Sequence, residues 1–256
     1  MKTTKTGGTT KRTRQATDPV GRSEAVYEQL RRLIIRGNLA PGSPIIERPF
    51  AERLGVSRGS LRDALRRLEH EGFVSATAAG VYSRAVVTPL TVADMDDIYT
   101  LIAALNGAGA RKAAELPEAE RLQMAEDMTA INEELAAALA APGQGSPKVY
   151  DMDQRFHMMY LAPVGGPRFH AFYDAVSSQG ERYGRAYSSV LGQVPAVGGL
   201  ALASPEEHRA IIEGIRSGNP DAAERAALDN WRNAASRLRV VIISTGERGS
   251  FFGALD

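Results

Sequence analysis

The sequence contains no cysteine in its 256 residues. This absence excludes disulfide bonds and thiolate metal sites, and it fits a reducing compartment. The sequence also lacks a run of roughly 18 apolar residues, which is the length that a transmembrane helix needs. Its basic N-terminus has no apolar segment and is therefore not a secretory signal. We expect a cytoplasmic protein without a membrane partner, whose length allows two globular domains.

Charge is divided unevenly along a chain whose formal net charge is only +1. Residues 1–88 contain 16 Lys and Arg against 8 Asp and Glu, whereas residues 89–256 contain 15 against 22. Positive charge that is concentrated on one small domain attracts a polyanion, and DNA is the usual one. The sequence therefore predicts a DNA-binding front third and an acidic remainder that does not touch DNA.

Residues 51–74 (AERLGVSRGSLRDALRRLEHEGFV) have the pattern of two short helices joined by a tight turn. Gly55 marks the turn, Ser57 is placed to cap the second helix, and Gly72 ends that helix. Four residues of the second helix recur at helical spacing and are predicted to face a core: Leu61, Ala64, Leu65 and Leu68.

A separate face of the same helix carries Arg58, Arg62 and Arg66 at four-residue spacing. One apolar face and one arginine stripe are what a helix-turn-helix needs to place its recognition helix in the major groove. On spacing alone, a solvated basic face explains the pattern equally well. The uneven distribution of charge favours DNA binding.

The segments on either side complete a predicted winged helix-turn-helix. A first helix is expected from Ser23 to Gly37, because its apolar residues form one stripe. After the recognition helix, Phe73–Val74 and Val81–Val87 are predicted strands on either side of a turn at Thr77–Gly80. Three helices followed by a hairpin are typical of this type of DNA-binding domain.

Beyond Thr91, which is placed to cap a helix, the sequence predicts helices only. Segments rich in Pro and Gly divide this region into six helical stretches, several of them Ala-rich, as in a helical bundle. Ser204 is predicted to be an N-cap, with proline in the first turn and Glu207 placed for a capping box. The predicted fold class is thus mainly α, with a winged helix-turn-helix domain followed by an all-helical bundle. The predicted boundaries are 1–20 for a disordered basic tail, 21–88 for the DNA-binding domain, 91–245 for the helical domain and 246–256 for a flexible tail.

The motif GVSRGSLRDALRRLEHEGFV resembles the winged-helix domain of the GntR family of bacterial transcription regulators. The helical remainder resembles the FCD effector domain of the fatty-acid-regulator-like branch, so that the likeness spans about residues 20–245. Arginine suits DNA contact chemically, because it pairs bidentately with guanine or with phosphate. The resemblance implies the following DNA-binding residues: Arg48, Ser57, Arg58, Gly59, Ser60 and Arg62.

Asp153 and His157 are four residues apart, so on a helix they share one face and form half of a chelate. On spacing alone, such a pair is more often a solvated or core-edge pair than a metal site. FCD domains, however, often hold a divalent metal with an Asp-x3-His helix and two later histidines. The resemblance implies Asp153, His157 and His208 as three ligands, with Asn230 as a weak fourth in place of histidine. Nitrogen ligands favour Zn²⁺ or Ni²⁺ as the metal.

The effector pocket is less clearly marked by the sequence. FCD domains commonly carry an arginine on their first helix and a glutamate four residues later. The matching positions here are Ile102 and Asn106, so a carboxylic-acid effector is not carried over from the resemblance. Candidate pocket residues are Asn106, Arg155 and Arg182, each of which also fits a surface or bundle-edge position.

Together these features predict a dimeric, sequence-specific transcriptional regulator, a repressor rather than an activator, and not an enzyme. Two recognition helices related by a two-fold axis imply an inverted-repeat operator on the double-stranded DNA of a bacterial nucleoid. The helical domain would dimerise and sense a small metabolite, with the divalent metal as its cofactor. One alternative is a metal-dependent helical enzyme with a two-histidine-one-carboxylate site, which the basic winged helix disfavours. Another is a non-specific DNA-packaging protein, which would not need a large acidic second domain.

Overall fold

The computed structural model describes residues 19–79, 82–141, 147–190 and 203–245. Within these ranges the chain forms nine helices and three strands, which confirms the mainly α fold class. The helices are α1 (Pro19–Ile35), α2 (Glu47–Leu54), α3 (Arg58–His70), α4 (Val92–Ala114), α5 (Glu118–Ala140), α6 (Pro147–Leu161), α7 (Pro167–Val190), α8 (Ser204–Arg216) and α9 (Pro220–Thr245). The strands are β1 (Pro44–Ile45), β2 (Val74–Ala79) and β3 (Tyr82–Val87).

The helix-turn-helix forms where the apolar pattern and the turn residues predict it. Gly55 follows α2 with a φ of 65°, in the left-handed region that favours glycine. Ser57 caps α3 and accepts a hydrogen bond from the backbone N–H of Ser60 at 3.1 Å. All four predicted core residues of α3 are buried, and they pack with Leu30 of α1 and with Phe73. The predicted turn, cap and core face are therefore confirmed.

Two boundaries of the N-terminal unit differ from the prediction. Helix α1 begins at Pro19 rather than Ser23, because proline is tolerated in a first helical turn, where its missing N–H needs no partner. Strand β2 continues through Ala79, so most of the predicted turn at Thr77–Gly80 pairs with β3 instead. Strand β3 lies between β1 and β2, and both pairings are antiparallel. Residues 19–20 of the predicted tail at 1–20 belong to α1. The rest of that tail, the predicted tail at 246–256 and Gly80 lie outside the described residues.

Helices α4 to α9 form a bundle that contains two apolar clusters. The larger cluster includes Met128, Phe156 and Ile211, which are completely buried on α5, α6 and α8. The second cluster joins α4, α7 and α9, and in it the rings of Tyr99 and Trp231 are 5.6 Å apart. In the described part of the chain, every helix is too short or too polar to span a bilayer.

The start of α8 differs from the predicted capping arrangement. Ser204 is the first residue of the helix, and the capping position belongs to Ala203, whose methyl group accepts no hydrogen bond. The Ser204 hydroxyl instead lies 3.3 Å from Asp153 Oδ1. The Glu207 carboxylate accepts two hydrogen bonds from Arg237 at 2.8 and 3.0 Å. The capping-box prediction is therefore wrong, because Ser204 bonds to Asp153 on α6 and Glu207 bonds to Arg237 on α9.

Helix α7 connects the bundle to the N-terminal unit. Gln179 Nε2 donates to the backbone carbonyl of Glu71 at 2.6 Å. Arg182 is only 2% exposed; its guanidinium donates to the carbonyl of Thr88 and lies 6.0 Å from the ring of Phe73. The same helix packs in the second apolar cluster of the bundle, so one helix contacts both the N-terminal unit and the helical core.

Candidate DNA-binding surface and metal site

The exposed face of α3 carries the arginine stripe. The side chains of Arg58, Arg62 and Arg66 are 61%, 51% and 73% exposed. Gly59 and Ser60 in the first turn of the helix are short, and a Cβ at Gly59 would meet no atom nearer than Ser57 Oγ at 3.7 Å. This open helix N-terminus can approach a phosphate with its backbone N–H groups while the arginines reach a groove.

The three arginines that the resemblance assigns to DNA contact each have a carboxylate neighbour. Arg48 is 80% exposed on α2 and donates to Glu52 at 3.1 Å. Arg62 Nε donates to both oxygens of Glu47 at 2.9 and 2.7 Å, and Arg58 Nη2 lies 3.7 Å from the same carboxylate. Exposed ion pairs of this kind contribute little to stability and are screened by salt. A DNA phosphate can therefore replace Glu52 at Arg48 at small cost.

Arg67 differs from the stripe, because its guanidinium contacts α1. It lies 3.6 Å from the centre of the Tyr27 ring. It donates to Glu24 at 2.6 Å and to Glu71 at 3.2 Å. These contacts tie the recognition helix to the first helix, so Arg67 supports the packing of the N-terminal unit.

Asp153 and His157 on α6 come together with His208 on α8. One ligand atom from each of the three residues lies within 4.8 Å of the others. The Nε2 atoms of His157 and His208 are 3.8 and 3.6 Å from the Asp153 carboxylate. Both imidazoles are buried, whereas the carboxylate side chain is 26% exposed. Two imidazole nitrogens and one carboxylate form a donor set that Zn²⁺ and related divalent metals bind.

Hydrogen bonds orient both imidazoles of this cluster. Tyr160 donates to Asn106 Oδ1 at 2.7 Å, so the Tyr160 oxygen accepts from His157 Nδ1 at 3.0 Å. Asn132 Nδ2 donates to a backbone carbonyl of α8, so Asn132 Oδ1 accepts from His208 Nδ1 at 3.0 Å. These partners assign the proton of each ring to Nδ1 and leave the Nε2 lone pair facing the carboxylate. Metal-binding histidines are commonly held in this way.

Burial favours the neutral form of all three groups. It lowers the pKa of His157 to about 3. Burial likewise holds the pKa of His208 well below its usual range. It raises the pKa of Asp153 to about 6. The histidines are therefore in the neutral state that a metal requires, and the carboxylate is the group that a proton and a cation would compete for.

A cavity of about 80 Å³ adjoins the cluster. Asp153, Ser204 and Arg237 contribute polar groups to its lining. Most of the remaining wall is aliphatic or aromatic, and it includes Leu135, Leu139, Val149, Trp231 and Leu238. An apolar cavity with a few converging polar groups is the usual form of a small-molecule site.

Asn230, which the resemblance implies as a weak fourth ligand, is buried and hydrogen-bonded to another side chain. Its Nδ2 donates to Glu207 Oε2 at 3.0 Å. The Glu207 carboxylate also accepts from Asn233 at 2.9 Å and from both Nη atoms of Arg237. The Asn230 amide is thus part of an ion-pair network between α8 and α9.

The three predicted effector-pocket residues lie in different places. Asn106 is completely buried and reaches His157 through Tyr160. Arg155 is 60% exposed and pairs with Glu134 at 3.1 Å. Arg182 lies at the junction with the N-terminal unit. The cavity lining includes none of the three, and among them only Asn106 lies near the cluster of Asp153, His157 and His208.

Sequence reasoning missed Asn132, Tyr160 and Arg237. Asn132 had a detectable signal, because it interrupts the buried face that includes Met128 and Leu135 on α5. A polar residue at such a position needs a hydrogen-bond partner. Tyr160 and Arg237 carry no comparable signal, since their roles depend on how separate helices pack.

Comparison with known proteins agrees with the two predicted kinds of domain, a helix-turn-helix followed by a helical bundle. Residues 22–79 match the family described as bacterial regulatory proteins, gntR family, and residues 97–233 match the FCD domain. The chain is 25% identical over 218 residues to YdhC, an HTH-type transcriptional regulator of Bacillus subtilis, covering 84% of this chain and 90% of that protein. It is 26% identical over 243 residues to the galactonate operon transcriptional repressor of Escherichia coli, covering 87% and 99%. The solved structure of E. coli McbR/YncC superposes with a TM-score of 0.61 at 16% identity, covering 86% of this chain and 98% of that one, and shows a likeness of fold.

Proposed function

The chain belongs to the gntR family of bacterial regulatory proteins with an FCD domain, and we propose that it is a dimeric repressor of transcription that senses a small metabolite. The observation that carries the proposal is the capped helix α3, on which Arg58 and Arg62 share one exposed face. The repressing direction is supported by the similar E. coli protein, which is named the galactonate operon transcriptional repressor.

We place the DNA contacts on α2 and on the N-terminal half of α3. Arg58 and Arg62 would enter the major groove, where arginine pairs with O6 and N7 of guanine. Arg48 and the short residues at the start of α3 would hold the phosphate backbone and set the register of the complex. The proposed DNA-binding set is Arg48, Ser57, Arg58, Gly59, Ser60 and Arg62.

We place the dimer interface on α4 and α9. These helices pack antiparallel, with Arg111 near the end of α4 bonded to Asp221 at the start of α9 at 2.6 Å. Leu101 on α4 is 53% exposed, and Val240 and Ile243 on α9 are 41% and 64% exposed. A second copy would remove these apolar side chains from water. A two-fold pairing would also present two recognition helices to the half-sites of an inverted repeat.

The oligomeric state tests this interface. Ile243→Glu should give monomers in analytical ultracentrifugation, because it places a charge in the proposed apolar contact. Phe172→Glu is the matched control, since Phe172 is 67% exposed on α7, outside the proposed face. Monomeric wild-type protein, or dimers of Ile243→Glu, would contradict the assignment.

We propose that Asp153, His157 and His208 hold a divalent cation, with Zn²⁺ or Ni²⁺ favoured by the imidazole nitrogens. Asn230 would add its amide oxygen as a weak fourth ligand, the atom that its Nδ2 bond to Glu207 does not use. When bound, the cation supplies a Lewis-acidic centre for oxygen atoms of the effector. The adjoining cavity would receive the apolar part of the effector, and its small volume favours a compact molecule.

Helix α7 offers the route from the cavity to DNA. Gly184 of this helix lines the cavity, while Gln179 and Arg182 hold the N-terminal unit. An effector that binds one position of α7 better than another would shift the two DNA-binding units relative to each other. Operator affinity would then depend on the effector.

A metal-dependent enzyme is the second candidate, and the two-histidine-one-carboxylate set is the observation that favours it. The similar proteins are named as transcriptional regulators, which favours sensing. Conversion of a bound metabolite by the metal-loaded protein would favour the enzyme.

Selection of bound DNA from a random pool, with the full chain, tests the proposed function most directly. We expect enrichment of one inverted repeat, and loss of enrichment when the correct metabolite is added. Equal recovery of all sequences would instead indicate a non-specific DNA-packaging protein.

A further inference from the structure

Glu47 places a carboxylate on the surface that would face DNA. It is the first residue of α2, and its side chain is 33% exposed. The same carboxylate contacts Arg62 and Arg58 of the recognition helix. A negative charge at this position opposes attraction to a polyanion. Its placement between two DNA-facing arginines therefore needs a reason other than affinity.

The contact with Arg62 uses one particular nitrogen. Arg62 Nε donates to the two Glu47 oxygens at 2.9 and 2.7 Å. A guanidinium has five N–H donors, and a bidentate contact with guanine can be made by the two Nη atoms alone. The bond to Glu47 therefore orients the guanidinium through Nε and leaves both Nη atoms available for guanine. The contact with Arg58 is longer, at 3.7 Å, and would restrain that side chain less.

We propose that Glu47 is a positioning residue for Arg62, which it holds ready to read one guanine in each half-site. Arginine loses much rotamer freedom when it is ordered, so an arginine ordered in advance loses less on binding the correct base. The inference rests on the proposed function, because it requires the arginine stripe to face DNA. Glu47 would thereby reduce affinity for DNA in general and increase preference for one base pair.

The alternative hypothesis is that the contact between Glu47 and Arg62 exists only in the absence of DNA, and it predicts a different effect on base preference. If DNA simply displaced Glu47 from Arg62, removal of the carboxylate would raise affinity for every sequence and leave the base preference intact. Base preference, measured separately from affinity, therefore decides between the two roles.

The test uses the full chain and the operator recovered by selection. Dissociation constants are measured at one salt concentration for the operator, for each single base-pair variant and for a random duplex. In Glu47→Ala we expect the preference at one position per half-site to fall about 10-fold, within the range of a lost bidentate contact. Affinity for the random duplex should rise. Glu47→Gln retains one acceptor for Arg62 Nε and should lose less preference than Glu47→Ala, although both variants remove the same charge.

Two further variants separate failure of this inference from failure of the proposed function. Glu69→Gln removes the same charge near the other end of α3 and should leave all base preferences unchanged. Arg62→Ala should lose the preference that Glu47→Ala weakens. Full preference in both Glu47 variants, together with its loss in Arg62→Ala, would overturn the role of Glu47 alone. Unchanged operator binding in Arg62→Ala would overturn the DNA-binding surface itself.

Discussion

The arginine surface of the N-terminal unit and the histidine cluster of the bundle both consist of ionisable side chains, but they are held in opposite ways. Arg58 and Arg62 are more than half exposed and share a carboxylate. His157 and His208 are buried and fixed by neutral hydrogen-bond partners. Exposed ion pairs exchange partners at little cost, whereas buried polar groups are costly to rearrange. The first region is suited to a polyanion, and the second to one cation in a defined position.

Removal of a buried ligand should have the largest effect. We expect His157→Ala to lower the affinity for Zn²⁺ by more than about 100-fold, because loss of an outer hydrogen-bond partner alone typically costs 10–100-fold. Isothermal titration of chelator-treated protein measures this, and circular dichroism confirms that the variant folds. His170→Ala removes an imidazole from outside the cluster and should leave the affinity unchanged. Wild-type affinity in His157→Ala would show that the cluster is not the metal site.

Removal of an orienting partner should have the next largest effect. Asn132→Leu deletes the acceptor for His208 Nδ1 while nearly preserving side-chain volume, so affinity for Zn²⁺ should fall about 10- to 100-fold. Gln123→Leu is the control on the exposed side of the same helix, where Gln123 bonds to Asp127. Equal affinities in the two variants would mean that metal binding does not depend on fixed imidazoles. The histidine cluster would then not differ from the arginine surface in the way proposed.

At the exposed surface, the smallest expected loss for one arginine is below that for Asn132→Leu, because each arginine is one of several DNA contacts. Arg58→Ala and Arg62→Ala should each weaken operator binding by about 1–3 kcal/mol while the fold remains intact. Arg67→Ala should weaken operator binding less and lower thermal stability more, since Arg67 ties α3 to α1. Filter-binding or anisotropy titrations and thermal melts measure both quantities. Equal losses of DNA binding in Arg58→Ala and Arg67→Ala would contradict the proposed docking face.

The smallest expected effect is the change in metal affinity for one unit of pH. The pKa of Asp153 is raised to about 6 and that of His157 is lowered to about 3, so protons compete with the cation mainly at the carboxylate. Affinity for Zn²⁺ should be constant above about pH 7 and fall by up to about tenfold per unit below pH 6. Asp153→Asn should abolish this dependence. A steeper fall near pH 6.5 that persists in Asp153→Asn would show that the histidines titrate instead.

Features that depend on neighbouring residues could be predicted from the sequence. The Ser57 cap, the Gly55 turn and the buried face of α3 all depend on residues within one or two helical turns, and each is found in the structure. The resemblance also indicated Asp153, His157 and His208, which the packing of α6 and α8 brings together.

Features that depend on the packing of distant helices could not be predicted. Ser204 has the residue type and spacing of a cap, but its hydroxyl bonds to Asp153, 51 residues away. Arg155 and Arg182 are both plausible pocket residues in sequence, yet packing places one on the surface and the other at the junction with the N-terminal unit. The outcome in each case depends on the rotation of one helix against another, which local periodicity does not specify.

Helices α6 and α7 approach closely at the cavity, away from the exposed face of α3. The shape of the cavity can therefore change without a change in the residues proposed to face DNA. A Cβ at Gly184 would lie 2.2 Å from Tyr150 Cε2, so the Tyr150 ring occupies the space of the missing side chain. Both residues line the cavity. A larger residue at position 184 would have to move the ring and change the dimensions of the cavity, while the histidine cluster and helix α3 keep their residues. With the cavity as the proposed effector site, a single codon could therefore alter which effector is accepted without altering which DNA sequence is bound, and that is a short evolutionary path to a new regulatory circuit.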